Sequence, residues 1–416
     1  MAPVWLRPMR LVLWSNAFLG GHPLFVGITN SPRDYAWGAA GAISELLGVQ
    51  PSGRPEAELW LGAHPGSPSR IVDPAQVGGA TDLATWVAKD PERALGKRPA
   101  GEPRLPFLLK VLAAASPLSL QAHPTGQQAI AGFAREHAEG IPIDAPDRNY
   151  RDAFPKPEIL YALSEKVEAL CGFRSPGRLR EVIGRLIELD ASEPGAEMLQ
   201  NWLDRVVDDA SLEAVFEWLI SKGAGVRQLI TRVVAIARAH PEEFDIVVLL
   251  ADAYPGDPGI VISLMLHRVS LKRGEVLYLP AGNVHAYLNG LGIELMTASD
   301  NVLRGGLTPK HVDVDELLHV LDFTSGPVPY LPGEQLGDSV VEFHPPGAGF
   351  ELLVVTGAGN VELNGPAIVL CVEGRFEVTG ATSSHVVVAG ESWYVTPEEG
   401  DLAFAGTGQA FIAKTA

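Results

Sequence analysis

The sequence predicts a mainly β protein: two antiparallel β-barrels, the first interrupted by an α-helical insert. Three observations carry that prediction. Residues 25–163 and 254–335 combine Gly and Pro turn signals with short apolar runs such as Leu105-Pro106-Phe107-Leu108-Leu109-Lys110-Val111-Leu112, the texture of strands joined by turns. Between them, over residues 164–253, apolar positions recur at helical spacing. Finally, Gly274-Glu275-Val276-Leu277-Tyr278-Leu279-Pro280 is echoed by Gly390-Glu391-Ser392-Trp393-Tyr394-Val395-Thr396-Pro397, each a strand that ends in a proline turn.

Taken in chain order, residues 1–24 read as a poorly ordered extension. Arg7 and Arg10 precede the apolar run Leu11-Val12-Leu13-Trp14, but Ser15 and Asn16 interrupt it and no small-x-small cleavage site follows, so a secretory leader is not expected. Residues 25–163 and 254–335 together form the first, discontinuous β-unit. In the insert, Leu179, Val182, Ile183, Leu186 and Ile187 make one helical stripe, and Leu199, Trp202, Leu203, Val206 and Val207 another. Leu212, Val215, Phe216 and Leu219 continue the pattern. Residues 336–416 form the second β-unit, where Glu351-Leu352-Leu353-Val354-Val355 is a strand. Its copy of the repeat goes on to Glu398-Glu399-Gly400 and has no histidine, so one barrel is metal-competent and the other bare.

Bulk properties narrow the function classes. A chain of 416 residues, 46% apolar and 20% charged, is an ordinary globular protein of two or three domains. A formal charge of −18 argues against nucleic-acid binding, which needs a basic footprint. Any anionic substrate must then be captured by a local group of Lys and Arg working against the global field. Two cysteines, Cys171 and Cys371, cannot build a disulfide framework or a thiolate zinc site, which fits a cytoplasmic setting and leaves His, carboxylate and amide groups as metal ligands. No apolar stretch reaches the roughly 20 residues that a membrane span requires.

Four segments carry candidate chemistry. Gly274 to Asn289 reads Gly, five residues, Pro280, one residue, Gly282, two residues, His285, three residues, Asn289. The strand Val276–Leu279 rises to a barrel mouth, Pro280 and Gly282 turn it, and His285 opens the return strand facing inward; the bland alternative is a hairpin with a packed histidine. In Leu118-Ser119-Leu120-Gln121-Ala122-His123-Pro124, strand alternation puts Ser119, Gln121 and His123 on one face, which is costly unless something binds them or water covers them. In Phe154-Pro155-Lys156-Pro157-Glu158 the prolines favour extended backbone, so Lys156 and Glu158 share a face, as site groups or as a surface ion pair. The fourth segment, Glu294 to Lys310, contains Asp300-Asn301, Arg304-Gly305-Gly306 and Lys310. Its glycines allow close backbone approach, and its cations suit a phosphate unless the segment is simply a charged loop.

The hairpin segment matches the second metal-binding motif of the cupin barrels. Read together, and with Tyr35-Ala36-Trp37-Gly38 and Ala57-Glu58-Leu59-Trp60-Leu61-Gly62-Ala63-His64-Pro65, the segments resemble type I mannose-6-phosphate isomerases over about Ser31 to Leu318. The resemblance implies cupin/jelly-roll β-barrels in a bicupin arrangement, one zinc ion held by Gln121, His123, Glu158 and His285, and interconversion of mannose 6-phosphate and fructose 6-phosphate. It makes Arg304 the active-site arginine that stabilises charge on an enediolate. Ser119 and Lys110, with Lys310, become candidate phosphate anchors. Lys156, Asp300 and Glu294 are candidates for proton shuttling or ring opening. Two rivals stand beside this reading. An iron cupin oxygenase would prefer histidine where Gln121 stands, and a non-catalytic sugar-binding bicupin would not need Arg304 and Lys310 beside a metal.

Overall fold

A computed structural model of the chain describes residues 24–96, 103–190 and 193–416; the expected extension over residues 1–24 lies almost wholly outside the described residues. Two large antiparallel sheets, a two-stranded ribbon of Ala39–Ala40 with Pro55–Glu56, and a layer of helices make up the fold. The site is built on the first sheet, from β2 (Glu58–Leu61), β3 (Phe107–Ala114), β4 (Gln121–Ala122), β5 (Glu158–Ala162), β6 (Lys166–Phe173), β7 (Leu266–Lys272), β8 (Val276–Leu279), β9 (His285–Thr297) and β10 (Leu303–Arg304). The main path runs β7-β6-β9-β3-β2, with β5 joining β9 to β8, and β4 joining β9 to β10.

The long strand β9 organises this sheet. Its first residues, His285 to Asn289, pair with β6, and His285 also faces Gln121 of β4. Its second half, Gly290 to Thr297, pairs with β3 on one side and β5 on the other. The chain changes partners at Gly290, whose φ of +121° and whose approach to the Lys166 carbonyl, 2.8 Å from where a Cβ would lie, leave room only for glycine. Both halves therefore turn toward one cavity. The pairings among the described residues leave the sheet open, as two strand groups sharing β9.

The second sheet contains β11 (Phe350–Val355), β12 (Ala367–Thr379), β13 (Ser392–Val395) and β14 (Leu402–Thr415) in the order β11-β14-β12-β13, extended by β1 (Phe25–Thr29). The pairing of β1 with β13 departs from the expected division, which assigned residues from 25 onward to the first unit. Nothing in the local pattern of Phe25–Thr29 distinguishes the two sheets, because its partner lies more than 360 residues away along the chain. The two repeat strands, β8 and β13, are both present, each preceded by a glycine in the left-handed region: Gly274 at φ 90° and Gly390 at φ 89°.

The helical span holds α2 (Pro176–Leu189), α3 (Glu193–Arg205), α4 (Ala210–Ile220), α5 (Val226–Ala239) and α6 (Pro241–Ala253), after the earlier α1 (Gly126–Ala138). Pro176 at the first turn and Ser175 accepting from the Arg178 N–H start α2. The expected insert began at residue 164, but β6 occupies Lys166–Phe173; its alternation of Val167, Ala169, Cys171 and Phe173 on the buried face precedes the helical period. Leu179, Ile183, Leu186 and Trp202 pack in one cluster with Leu120, Ala122, Val284, Ala286 and Leu303. The helices thus cover the outer face of β4, β10 and the start of β9. Burying those apolar side chains outward commits the alternate residues Gln121, His285 and Arg304 to the opposite side.

Candidate metal centre and anion cavity

His123, Glu158 and His285 meet in the buried interior, each about 1% exposed. His123 Nε2 lies 3.3 Å from Glu158 Oε1, and His285 Nε2 lies 3.5 Å from Glu158 Oε2. Each ring is oriented through its other nitrogen: His123 Nδ1 donates to the Asn301 carbonyl at 2.7 Å, and His285 Nδ1 to the Asn283 carbonyl at 3.0 Å. A carbonyl can only accept, so both rings carry the Nδ1 proton and turn Nε2 lone pairs toward Glu158. Those Nε2 atoms and Glu158 Oε2 are buried without a hydrogen-bond partner in the protein. Three converging orphaned donors are what a metal satisfies. The separations also suit one: ligands about 2.1 Å from a tetrahedral ion stand roughly 3.4 Å apart.

Electrostatics favours the same state. Burial, then the nearby Lys156 ammonium, push His123 down to about 4, so the ring is neutral at physiological pH, as a ligand must be. For Glu158 burial works upward, but Lys156 and then His123 outweigh it and hold the carboxyl well below its ordinary range. Lys156 Nζ sits 2.9 Å from Glu158 Oε1, the shared face expected of the two residues. Gln121 stands across from His285 in strand register and lines the cavity beside Glu158.

That cavity has a volume of about 610 Å³ and is lined by Ser119, Gln121, Lys110, Lys156, Glu158, Glu294, Asp300, Arg304 and Lys310 among others. Every site candidate other than His123 and His285 opens on it, and those two lie behind Glu158. Its charges divide into two kinds. On one wall Lys110 is enclosed, 2.9 Å from Glu294 and 3.6 Å from Glu58, with Trp60 beside it donating Nε1–H to Glu58 at 2.8 Å. Burial, then Glu294, set Lys110, and the net effect raises it, so the ammonium stays charged and compensated. Burial raises Glu294 above its ordinary value against the pull of Lys110. Asp300 faces His64 at 3.4 Å.

At the mouth, Arg304, Arg151 and Lys310 have no carboxylate partner among the described residues. They repel one another: burial first, then Arg151, lowers Arg304, and burial, Arg304 and Arg151 lower Lys310. Uncompensated cations this close, in a chain of formal charge −18, have the chemistry to receive an anion. Sequence reasoning missed Arg151, Glu58, Trp60, His64 and Tyr287 as cavity residues. Glu58 and Trp60 share a strand face at i and i+2, as do His285 and Tyr287, so alternation could have found them; Arg151 carries no local signal.

Residues 25–176 match the model of the phosphomannose isomerase type I catalytic domain. The mannose-6-phosphate isomerase of Escherichia coli (strain K12) is 34% identical over 396 residues, covering 92% of this chain and 97% of that protein. The mannose-6-phosphate isomerase of Homo sapiens is 32% identical over 375 residues, covering 82% and 86%. Among solved structures, a zinc-bound holo mannose 6-phosphate isomerase superposes with a TM-score of 0.83 at 32% identity, covering 94% of this chain and 99% of that one. The apo form from Salmonella typhimurium superposes with a TM-score of 0.82 at 31% identity, with the same coverage.

Proposed function

The chain belongs to the type I phosphomannose isomerase family and is an isomerase enzyme, and from that premise we propose that it interconverts mannose 6-phosphate and fructose 6-phosphate at the cavity between β4, β5, β9 and β10. One observation carries the assignment to this site: the orphaned His123–Glu158–His285 set, which reaches the cavity through Glu158, shares that cavity with Arg304, Arg151 and Lys310, which have no carboxylate partner among the described residues. A metal pole and an anion pole are what an acidic protein needs to hold a sugar by its hydroxyls and its phosphate.

His123, Glu158 and His285, with Gln121 as the fourth protein ligand, would hold a single zinc ion. When bound, zinc would supply Lewis-acid polarisation of substrate oxygens. Lys310, Arg151 and Ser119 hold the phosphate. Arg304 pairs with Gln121 across adjacent strands and opens on the same cavity, and it stabilises the negative charge of the enediolate. Lys110 is reassigned. Expected as a phosphate anchor, it is compensated by two carboxylates and instead keeps Glu294 poised. Glu294, raised by burial, removes the C2 proton and returns it to C1, since a carboxyl moved toward neutral pH is suited to both directions. Asp300, beside His64 on the cavity wall, serves ring opening, and Lys156 holds Glu158 ionised.

The iron oxygenase reading is set aside, because the chain's relatives are isomerases. A sugar-binding bicupin gives no reason for Lys110 to be enclosed between Glu58 and Glu294 at the cavity wall. The deciding experiment is conversion of mannose 6-phosphate by purified protein of measured metal content. Turnover should vanish on chelation without loss of the thermal transition and return with zinc. Zinc-loaded protein that leaves mannose 6-phosphate unchanged would overturn the proposal.

A further inference from the structure

Asn301 is fully buried and contacts neither the cavity nor the metal ligands through its side chain, yet its hydrogen bonds tie the His123 ring and the cavity residues Arg151 and Ser299 to the Asp152–Phe154 segment. Its Oδ1 accepts from the Arg151 N–H at 2.7 Å and the Asp152 N–H at 3.2 Å. Its Nδ2 donates to the Asp152 and Phe154 carbonyls, both at 2.9 Å, and to Asp152 Oδ1 at 3.2 Å. Its own carbonyl takes the Nδ1 proton of His123, and its N–H donates to Ser299 Oγ at 3.2 Å. The clasp is reciprocal: Asp152 accepts from Ser299 Oγ and from the Asp300 N–H, each at 2.8 Å.

The segment gripped in this way, Arg151 to Phe154, has an exposed cation at one end and leads, through Pro155 and Pro157, to Lys156 and Glu158 at the other. It has no strand partner of its own. One amide therefore locates three things at once: the backbone from which Arg151 reaches the cavity mouth, the entry to the Lys156–Glu158 pair, and the acceptor that fixes the His123 tautomer. A loop anchored by water would be free to shift by an ångström, and both poles of the site would shift independently.

We infer that Asn301 is a positioning residue that locks the metal pole to the anion pole, acting through the His123 ring on one side and the Arg151 backbone on the other. The inference concerns the residues themselves; its substrate half rests on the sugar-phosphate reading above, and its metal half does not. No other residue type of this size both accepts from two adjacent N–H groups and donates to two carbonyls. Aspartate would lose the donations and set a second carboxylate against Asp152.

The test uses the full chain with Asn301→Ala and, should that variant not fold, Asn301→Ser, whose hydroxyl replaces one of the bonds. Zinc competition against a chromophoric chelator reads the metal pole; the expected result is affinity weakened roughly 10–100-fold, the scale for losing a group that orients a ligand. KM for mannose 6-phosphate should rise at least about tenfold. Adding Arg151→Ala to Asn301→Ala should raise KM little beyond the larger single effect, because the two act as one unit. A merely structural role would lower the melting temperature and leave zinc affinity and the KM coupling alone. Wild-type zinc affinity in a folded Asn301 variant, or additive KM effects, would overturn the inference. Zinc-loaded wild type inactive on mannose 6-phosphate would remove the proposed function, while the zinc titration still decides the role of Asn301.

Discussion

Replacing Glu158 with Gln isolates the buried charge on which the metal pole depends. In metal-free protein Glu158 balances the Lys156 ammonium at 2.9 Å, with the two side chains 1% and 8% exposed. Glutamine keeps the shape and removes the charge. Lys156 is then left as a buried cation without its partner, and breaking such a pair typically costs 3–5 kcal/mol, far more than the net worth of the intact pair. An independent limit agrees: an ordinary lysine sheds its proton at pH 7 for about 5 kcal/mol, so neutralisation caps the loss near that figure. We expect E158Q to lose about 3–5 kcal/mol in urea unfolding of the metal-free chain. The double substitution K156M/E158Q, which removes both charges, should recover more than half of it. The assay compares urea midpoints at matched slopes for wild type, single and double variants after exhaustive chelation. An E158Q protein within about 1 kcal/mol of wild type, or a double variant less stable than E158Q, would refute the reasoning that the pair is desolvated and mutually compensating.

Other consequences can be measured directly. Arg304→Ala should leave zinc bound and lower turnover at least about a hundredfold, the scale of one lost charge-stabilising donor; near-normal kcat in zinc-loaded protein would remove Arg304 from the mechanism. Metal-free protein should lose stability as pH falls from 6.5 toward 4, because His123 is neutral in the fold down to about 4 whereas the unfolded chain takes up the proton near 6.5. The unfolded state binds more protons across that window, so acid favours it, by roughly 3 kcal/mol in full, and a flat pH profile there would contradict the burial of His123. Gly132→Ala should destabilise the chain by about 1–3 kcal/mol despite the better helix propensity of alanine, since its Cβ would meet the buried Tyr150 ring at 2.3 Å; an unchanged melting temperature would show that α1 or the ring can yield.

Much of the site was legible because its residues obey local periodicities. The turn at Pro280 and Gly282 delivers His285 to the start of β9, and alternation around Gln121 separates Leu120 and Ala122 from the cavity-facing positions. The two prolines hold Lys156 and Glu158 on one face, where they pair. These are short-range constraints, set by the pleat of a strand and the fixed φ of proline, and one chain suffices to read them.

The rest was decided by contacts between segments far apart in sequence. Phe25–Thr29 joined the second sheet because β13 offered it an edge, a choice no five-residue pattern encodes. Lys110 proved to be a compensated cation and Arg151 an uncompensated one, which depends on where Glu58 and Glu294 come to lie. The helical span turned out to cover the outer face of the strands that carry Gln121, His285 and Arg304. The sequence by itself determined which residue types stand on which face of each strand and that the second repeat lacks a histidine. Only the tertiary structure decided which charges neutralise one another and which remain for a substrate, because charge compensation falls off over a few ångströms of space and is indifferent to distance along the chain.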